Sequence, residues 1–154
     1  MSFTRHAALF VFVLLLPATG LASVEGDASG GARRGEASVF ATRLAGARMA
    51  DGGRFETNSD SVASPVLPLG TTARVRNLRN GRSTMVRVRD RLPASGERIL
   101  SVSPRVAAEL GMRANGLAQV EVAPLAVPQR DGSVRLGAGT RLAGRRAQVV
   151  EPAR

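Results

Sequence analysis

Alternating apolar and polar residues mark the middle of the chain as mainly β-structure. In "STMVRVRD", Val86 and Val88 alternate with arginines, which is the two-residue period of a strand with one buried face. Asp90 continues the apolar face rather than the arginine face, shortly before the chain reaches Pro93. The pattern places one carboxylate at the end of a buried strand face, where it is either a turn residue or a working acid.

Other segments with β-branched or alternating residues predict the remaining strands. The stretches 71–78 and 83–90 flank Asn80 and Gly81, which predict a hairpin because both residue types tolerate positive φ. Further strands are predicted at 36–41, 98–102 and 116–125, with a weaker candidate at 133–136. Short strands with few aromatic residues favour a small closed β-barrel over a parallel α/β sheet.

One helix is predicted within this mainly β region, in the segment "SPRVAAELG". Ser103 is of the type that caps a helix N-terminus, and Pro104 suits the first helical position. Gly111 can end the helix because glycine readily adopts a left-handed conformation.

The two ends of the chain differ in composition from the middle. Residues 1–22 have a basic start, an apolar core and a small-residue exit, which predicts a cleaved secretory signal peptide; a retained membrane anchor is the alternative. Residues 23–35 predict a flexible leader, and residues 126–154 a basic, disordered tail. The predicted folded domain is therefore 36–125, in a soluble periplasmic protein without a stable membrane span after cleavage.

Composition removes several kinds of chemistry. The chain has no Cys and no Lys, which excludes thiol nucleophiles, Schiff bases and the P-loop lysine. Its single histidine, His6, lies in the predicted signal peptide, so the mature chain lacks the base of a Ser-His-Asp triad. We therefore expect no metal and no cofactor. The net charge of +10 favours an anionic partner.

The order of motifs in residues 36–124 resembles the RlpA family of rare lipoprotein A proteins. The resemblance rests on "MADGGRF", "LPLGTTARVRNLRNGRS", "VRVRDRLP" and "RILSVSPRVAAELGM". It implies a six-stranded double-psi β-barrel with one or two short helices. It also implies a peptidoglycan lytic transglycosylase, which cleaves the MurNAc–GlcNAc bond of glycan strands without water and leaves a 1,6-anhydro end. Such an enzyme acts at the septum of dividing bacteria.

The resemblance implies that the acid of the family's "DRGP" motif falls on Asp90. Cleavage of a glycosidic bond needs a proton on the leaving oxygen. Glycoside hydrolases usually add a second carboxylate, but a transglycosylase can use a hydroxyl of the sugar itself as the nucleophile. One carboxylate, acting first as acid and then as base, can therefore suffice.

Four further residues are candidates for supporting Asp90 or contacting the glycan. Asp51 stands in an Asp-Gly pair, which is also an ordinary turn signal, and Asn58 and Ser64 are also ordinary loop residues. Ser64 occupies the position where the RlpA family usually has a histidine, and it cannot carry a proton near neutral pH. Arg91 directly follows the candidate acid.

Two functions remain open from the sequence. The first is an endolytic lytic transglycosylase with Asp90 as acid and base. The second is a catalytically impaired peptidoglycan-binding or septal interaction module, which the absence of the family histidine favours. Glycan strands, and divisome proteins at the septum, are the expected partners. Nucleic acid is not expected, because the chain is predicted to be exported and has few aromatic residues for base stacking.

Overall fold

Short strands and helical turns make up the regular structure of the protein. The structure is a computed structural model, and it describes residues 30–141. The strands are β1 (Arg33–Val39), β2 (Ser61–Ala63), β3 (Thr72–Asn77), β4 (Ser83–Asp90), β5 (Arg98–Val102), β6 (Leu117–Pro128) and β7 (Val134–Leu136). A 3₁₀ turn (Thr42–Leu44) and the helix α1 (Pro104–Glu109) lie between strands.

Hydrogen bonds between the strands close the sheet into a barrel. The strands follow the order β1-β5-β2-β4-β3-β6, and β6 pairs again with β1, so that six strands form a ring. The β1–β5 and β2–β4 pairs are parallel, and the other neighbours are antiparallel. The strand β7 pairs with β6 outside the ring. The predicted mainly β fold, a six-stranded double-psi β-barrel, is confirmed.

The interior of the barrel is filled by the apolar positions of the alternating strands. Val86 and Val88 are buried, whereas Arg87 between them is exposed, as the two-residue period predicts. The core takes side chains from all six strands of the ring and from α1. Its members include Ala37, Val62, Val75, Val88, Leu100, Val102, Val106, Leu110 and Val120.

The β3–β4 hairpin is confirmed, with a turn that differs from the simplest two-residue form. Its last paired residues are Arg76 and Ser83, so the connection is longer than Asn80-Gly81 alone. Only Gly81 uses positive φ, at 74°. Asn80 instead donates a side-chain hydrogen bond of 3.0 Å to the carbonyl oxygen of Leu110, which ties the turn to the end of α1.

The predicted helix is confirmed together with both of its end signals. The Ser103 hydroxyl oxygen accepts a 3.2 Å hydrogen bond from the main-chain nitrogen of Val106, and Pro104 is the first helical residue. Gly111, with φ of 67°, follows the C-cap residue Leu110 and takes the chain out of the helix.

Both ends of the folded region extend beyond the predicted limits of 36–125. The strand β1 begins at Arg33, and β6 continues to Pro128 because it pairs in turn with β1, β3 and β7. The predicted disordered tail is therefore wrong for residues 126–136, and the weak strand candidate near 133–136 is real. The predicted signal peptide, residues 23–29 of the predicted leader and residues 142–154 of the predicted tail lie outside the described residues. Within 30–141, no helix has the length and apolar character needed to cross a membrane.

The hairpin turn gives a stability prediction. Gly81→Val places a β-branched residue at φ of 74° and should destabilise the barrel by about 1–3 kcal/mol. Space is not the reason, since an added Cβ would lie 3.7 Å from the nearest atom. Gly31→Val is the matched control, because Gly31 has neither positive φ nor a neighbour within 4 Å of an added Cβ. Equal melting temperatures for the two variants would contradict the prediction.

Candidate active site

Asp90 lies at the end of β4, where the barrel wall passes into a loop. It is the last residue of the strand and is only partly buried, beyond the fully enclosed Val88. Its main-chain carbonyl accepts a 3.2 Å hydrogen bond from the nitrogen of Ser64, because β2 runs parallel to β4 at this point. The position of the candidate acid is thus set by strand pairing.

The carboxylate of Asp90 is held by one of its two oxygens. Oδ1 accepts hydrogen bonds of 2.9 Å from the main-chain nitrogens of Ala50 and Arg91. Oδ2 has no hydrogen-bond partner among residues 30–141 and is not enclosed, so it faces solvent. The side chain therefore has a fixed orientation and one oxygen available to a ligand.

The loop "MADGGRF" provides one of these two contacts and is itself bound to β4. The Asp51 carboxylate accepts a 2.7 Å hydrogen bond from Nε of Arg89, and the Asp51 nitrogen donates to the Arg89 carbonyl at 3.1 Å. The Arg89 guanidinium and, next, the main-chain N–H of Gly53 hold the pKa of Asp51 below its ordinary value of 3.8. Asp51 is therefore a binding partner of β4 rather than a second free acid.

Glycines and buried apolar residues explain why this loop folds so tightly. Gly52 has φ of 89°, and a Cβ on Gly53 would lie 2.2 Å from the Arg89 guanidinium, so a larger residue there would displace the ion pair. Met49 and Phe55 are buried on either side of the turn. Two apolar anchors and an ion pair thus hold the Ala50 N–H against Asp90.

Ser64 does not present its side chain to a ligand. The residue is fully buried, and its hydroxyl donates to the Ile99 carbonyl at 3.1 Å while accepting 3.2 Å bonds from the nitrogens of Val66 and Leu67. Direct contact between the Ser64 hydroxyl and a glycan is therefore wrong as a prediction. The residue shapes the loop after β2 and supports Asp90 through its main-chain nitrogen.

The other two sequence candidates lie in different surroundings. Asn58 is exposed in the loop before β2, and no hydrogen bond links it to Asp90, Asp51 or Arg91. Arg91 is exposed and lines an open groove of about 810 Å³, where its Nη1 donates a 3.4 Å hydrogen bond to the Leu67 carbonyl. The structure thus brings Asp51, Ser64 and Arg91 around Asp90 and leaves Asn58 apart.

Sequence reasoning missed two contributors to the site. Ala50 acts through its main-chain N–H, which no residue type reveals, and Arg89 lies on the arginine face of β4, whose two-residue period does not indicate an ion pair with Asp51. The Asp-Gly-Gly turn beside the buried Phe55 was the signal that could have placed this loop.

The site can perform proton transfer at one oxygen. In residues 30–141, no group of three or more His, Cys, Asp or Glu is arranged to hold a metal ion. Asp51, the carboxylate of the loop that contacts Asp90, is engaged by Arg89. The arrangement therefore differs from the two working carboxylates of glycoside hydrolases and suits chemistry in which one group gives up a proton and takes one back.

Several proteins of known name are similar to this chain. A protein from Synechocystis sp., named as a probable endolytic peptidoglycan transglycosylase RlpA, is 40% identical over 86 residues, or 56% of this chain and 27% of its own. The endolytic peptidoglycan transglycosylase RlpA of Neisseria meningitidis is 39% identical over 88 residues, 57% of this chain and 37% of its own. That of Haemophilus influenzae is 31% identical over 121 residues, 79% of this chain and 42% of its own.

These figures also show how the chain differs in extent from its relatives. It spans between 27% and 42% of the length of the three relatives named. Among solved structures, the Streptomyces papain inhibitor is similar over 60% of this chain and 93% of its own, with 19% identity and a TM-score of 0.46, which is too distant to bear on function.

The family model described as lytic transglycolase matches residues 32–122, which covers β1 to the first half of β6 and includes the Asp90 site. That match extends over more than half of the chain and agrees with the motifs, the closed barrel and the named relatives. The chain belongs to the RlpA family of double-psi β-barrel lytic transglycolases.

Proposed function

We propose that the protein is an endolytic peptidoglycan lytic transglycosylase that cleaves the MurNAc–GlcNAc bond of glycan strands with Asp90 as its acid and base. The observation that carries the proposal is the state of the Asp90 carboxylate. Oδ1 is fixed by two main-chain N–H groups, and Oδ2 faces solvent without a partner in the described chain. The names of the RlpA relatives support the substrate class.

The first step transfers a proton from Asp90 to the glycosidic oxygen. The bond between C1 of MurNAc and that oxygen breaks, the electron pair stays on the oxygen, and GlcNAc leaves with a free 4-hydroxyl. Positive charge develops at C1 as the bond breaks, in the manner of an oxocarbenium ion. A fixed carboxylate orientation favours this step because the donor oxygen needs to lie within hydrogen-bond reach of the leaving oxygen.

The second step returns a proton to Asp90. The carboxylate accepts the proton of the C6 hydroxyl of the same MurNAc while O6 bonds to C1, which gives the 1,6-anhydro ring. No water is consumed, and the acid is restored for the next cycle. Each step uses the same carboxylate, which is why one free oxygen on a single anchored acid is a sufficient proton carrier.

The biological setting proposed here follows from the substrate. Glycan strands lie outside the cytoplasmic membrane, which fits the export signal expected at residues 1–22, and we place the protein in the periplasm. Remodelling of the cell wall at division, in contact with divisome proteins, is the process that we propose it serves.

A second candidate function is supported by Ser64. The residue stands where the family usually has a histidine, and its buried hydroxyl is occupied by three main-chain groups. It cannot carry a proton near neutral pH. A peptidoglycan-binding module that retains the barrel without catalysis would account for this feature.

The decisive variant is Asp90→Asn. Asn keeps an oxygen that can accept from the Ala50 and Arg91 N–H groups, so the fold should persist, but it cannot deliver a proton. Release of anhydro-sugar products from purified sacculi, and from glycan strands stripped of stem peptides, should fall by about a hundredfold or more. Asp60→Asn is the matched control, because Asp60 is an exposed loop residue, and this variant should release products as fast as the parent protein.

The outcomes of this assay separate the two functions. Cleavage by the parent and by Asp60→Asn, but not by Asp90→Asn, supports the enzyme. Equal cleavage by Asp90→Asn would make Asp90 a structural residue. Sedimentation of the parent with sacculi in the absence of any released product would favour the binding module.

The loop that orients Asp90 gives a pH-dependent prediction. Because pairing with Arg89 lowers the pKa of Asp51, the ion pair should stabilise the folded protein above pH 3.8 and lose this effect as the pH falls below that value. Asp51→Asn should therefore lower the free energy of unfolding near neutral pH by about 1 kcal/mol and make little difference in strong acid.

The ion pair can be isolated by a double-mutant cycle. In an Arg89→Gln background, Asp51→Asn should cost little at any pH, since the partner is already absent. Chemical denaturation of the four proteins between pH 7 and pH 3 would measure this. A full Asp51→Asn effect in the Arg89→Gln background would show that the loop is held by contacts other than the ion pair.

A further inference from the structure

An open groove begins beside the candidate acid and lies between two segments of chain. One wall is the loop of residues 65–69, which follows β2, and the other is formed by residues 128–131, where β6 turns towards β7. The walls meet where Gly70 approaches Pro128, since a Cβ on Gly70 would lie 3.2 Å from the proline ring. Arg91 lies along the same groove.

The second wall lies beyond the residues that the family model matches. The family match ends at residue 122, whereas β6 continues to Pro128 and pairs with β7. The turn between these strands is held by hydrogen bonds from the Gln129 nitrogen to the Ser133 carbonyl at 2.8 Å and from the Gly132 nitrogen to the Gln129 carbonyl at 3.1 Å. The wall is therefore a folded structural element.

Two guanidinium groups line this groove without a carboxylate partner. Neither Arg91 nor Arg130 forms an ion pair with any residue in 30–141. Asp131, the acid of the groove, forms no ion pair with either arginine, and its Oδ1 accepts from the nitrogen of Ser133 at 2.9 Å and from the Ser133 hydroxyl at 2.7 Å. The groove thus combines apolar walls with two cationic groups that have N–H donors to spare.

We propose that this groove binds a sugar of the glycan strand that carries a carboxylate, with Arg91 and Arg130 as its ligands. The inference rests on the proposed function in taking a glycan strand as the ligand. Muramic acid offers such a carboxylate, either on its own lactyl group or on the stem peptide attached there. Guanidinium is well suited to this role because its planar N–H donors match the two carboxylate oxygens.

Arg91 connects this recognition to the chemistry. Its main-chain nitrogen donates to Oδ1 of Asp90, and its side chain lies in the groove with Nη1 near the Leu67 carbonyl. A carboxylate bound by Arg91 is therefore held by the residue that also orients the acid. The prolines of the walls, Pro65, Pro68 and Pro128, provide rigid apolar surface for the faces of a sugar ring.

The test measures binding rather than cleavage. Asp90→Asn protein, which should not degrade its ligand, would be compared with Asp90→Asn/Arg130→Gln and with Asp90→Asn/Arg79→Gln as the matched control. Arg79 is another exposed arginine, and it follows β3 in a turn that does not line the groove. The ligands are glycan strands with stem peptides removed, the same strands with their carboxylates converted to methylamides, and strands with intact stems.

Arg130→Gln should raise the Kd for carboxylate-bearing strands by about two- to fivefold, the loss expected for one exposed ion pair. It should leave the Kd for the methylamide strands unchanged, and Arg79→Gln should change neither. An effect on stem-free strands identifies the lactyl carboxylate as the ligand, and an effect confined to strands with stems identifies a stem carboxylate. The inference would be overturned if Arg130→Gln changed the Kd equally for carboxylate-bearing and methylamide strands. It would also be overturned if Arg130→Gln changed the Kd for no strand at all.

The result is separable from the proposed function. Carboxylate-dependent binding through Arg130, in a parent protein that releases no product, would leave this inference standing and remove the catalytic proposal. Cleavage by the parent, together with binding that does not depend on Arg130, would support the catalytic proposal and overturn this inference.

Discussion

The clamp between the loop at residues 49–53 and the end of β4 is the contact on which the candidate site depends. The Ala50 N–H fixes Oδ1 of Asp90, and it is held in place by the buried Met49 and Phe55 and by Asp51, which binds both the side chain and the main chain of Arg89. A carboxylate at a strand end is otherwise free to rotate about its side-chain bonds. The clamp fixes the orientation of the Asp90 carboxylate, so that Oδ1 is bound and Oδ2 is left free.

Barrel closure supplies the rigid frame against which this clamp works. At Asp90 the parallel pairing of β2 with β4 adds a main-chain bond from Ser64, so the end of β4 is held on one side by a neighbouring strand and on the other by the loop. The long connection between β1 and β2, which β5 separates in the sheet, contains the clamp.

The sequence predicted those elements whose signals are local. The hairpin at Gly81, the strand at 98–102 and the cap of α1 at Ser103 each follow from a few neighbouring residues, and the structure has all three. The three-residue β2 and the wholly exposed β7 form because they pair with distant strands. Hydrophobic periodicity therefore does not predict β2, and it predicts β7 only weakly. The roles of Ala50 and Ser64 were hidden for the same reason, because both depend on main-chain contacts made by the fold.

The Asp90 site and the wall of the groove are formed by different parts of the chain, which bears on how one barrel can bind different ligands. The acid and its clamp lie within the residues that the family model matches, whereas one wall of the groove lies beyond residue 122, in residues 128–131. A wall built from a strand extension can change in length or charge without disturbing the hydrogen bonds at Asp90. Because Arg91 belongs to both regions, it is the residue through which such a change in the wall would reach the acid.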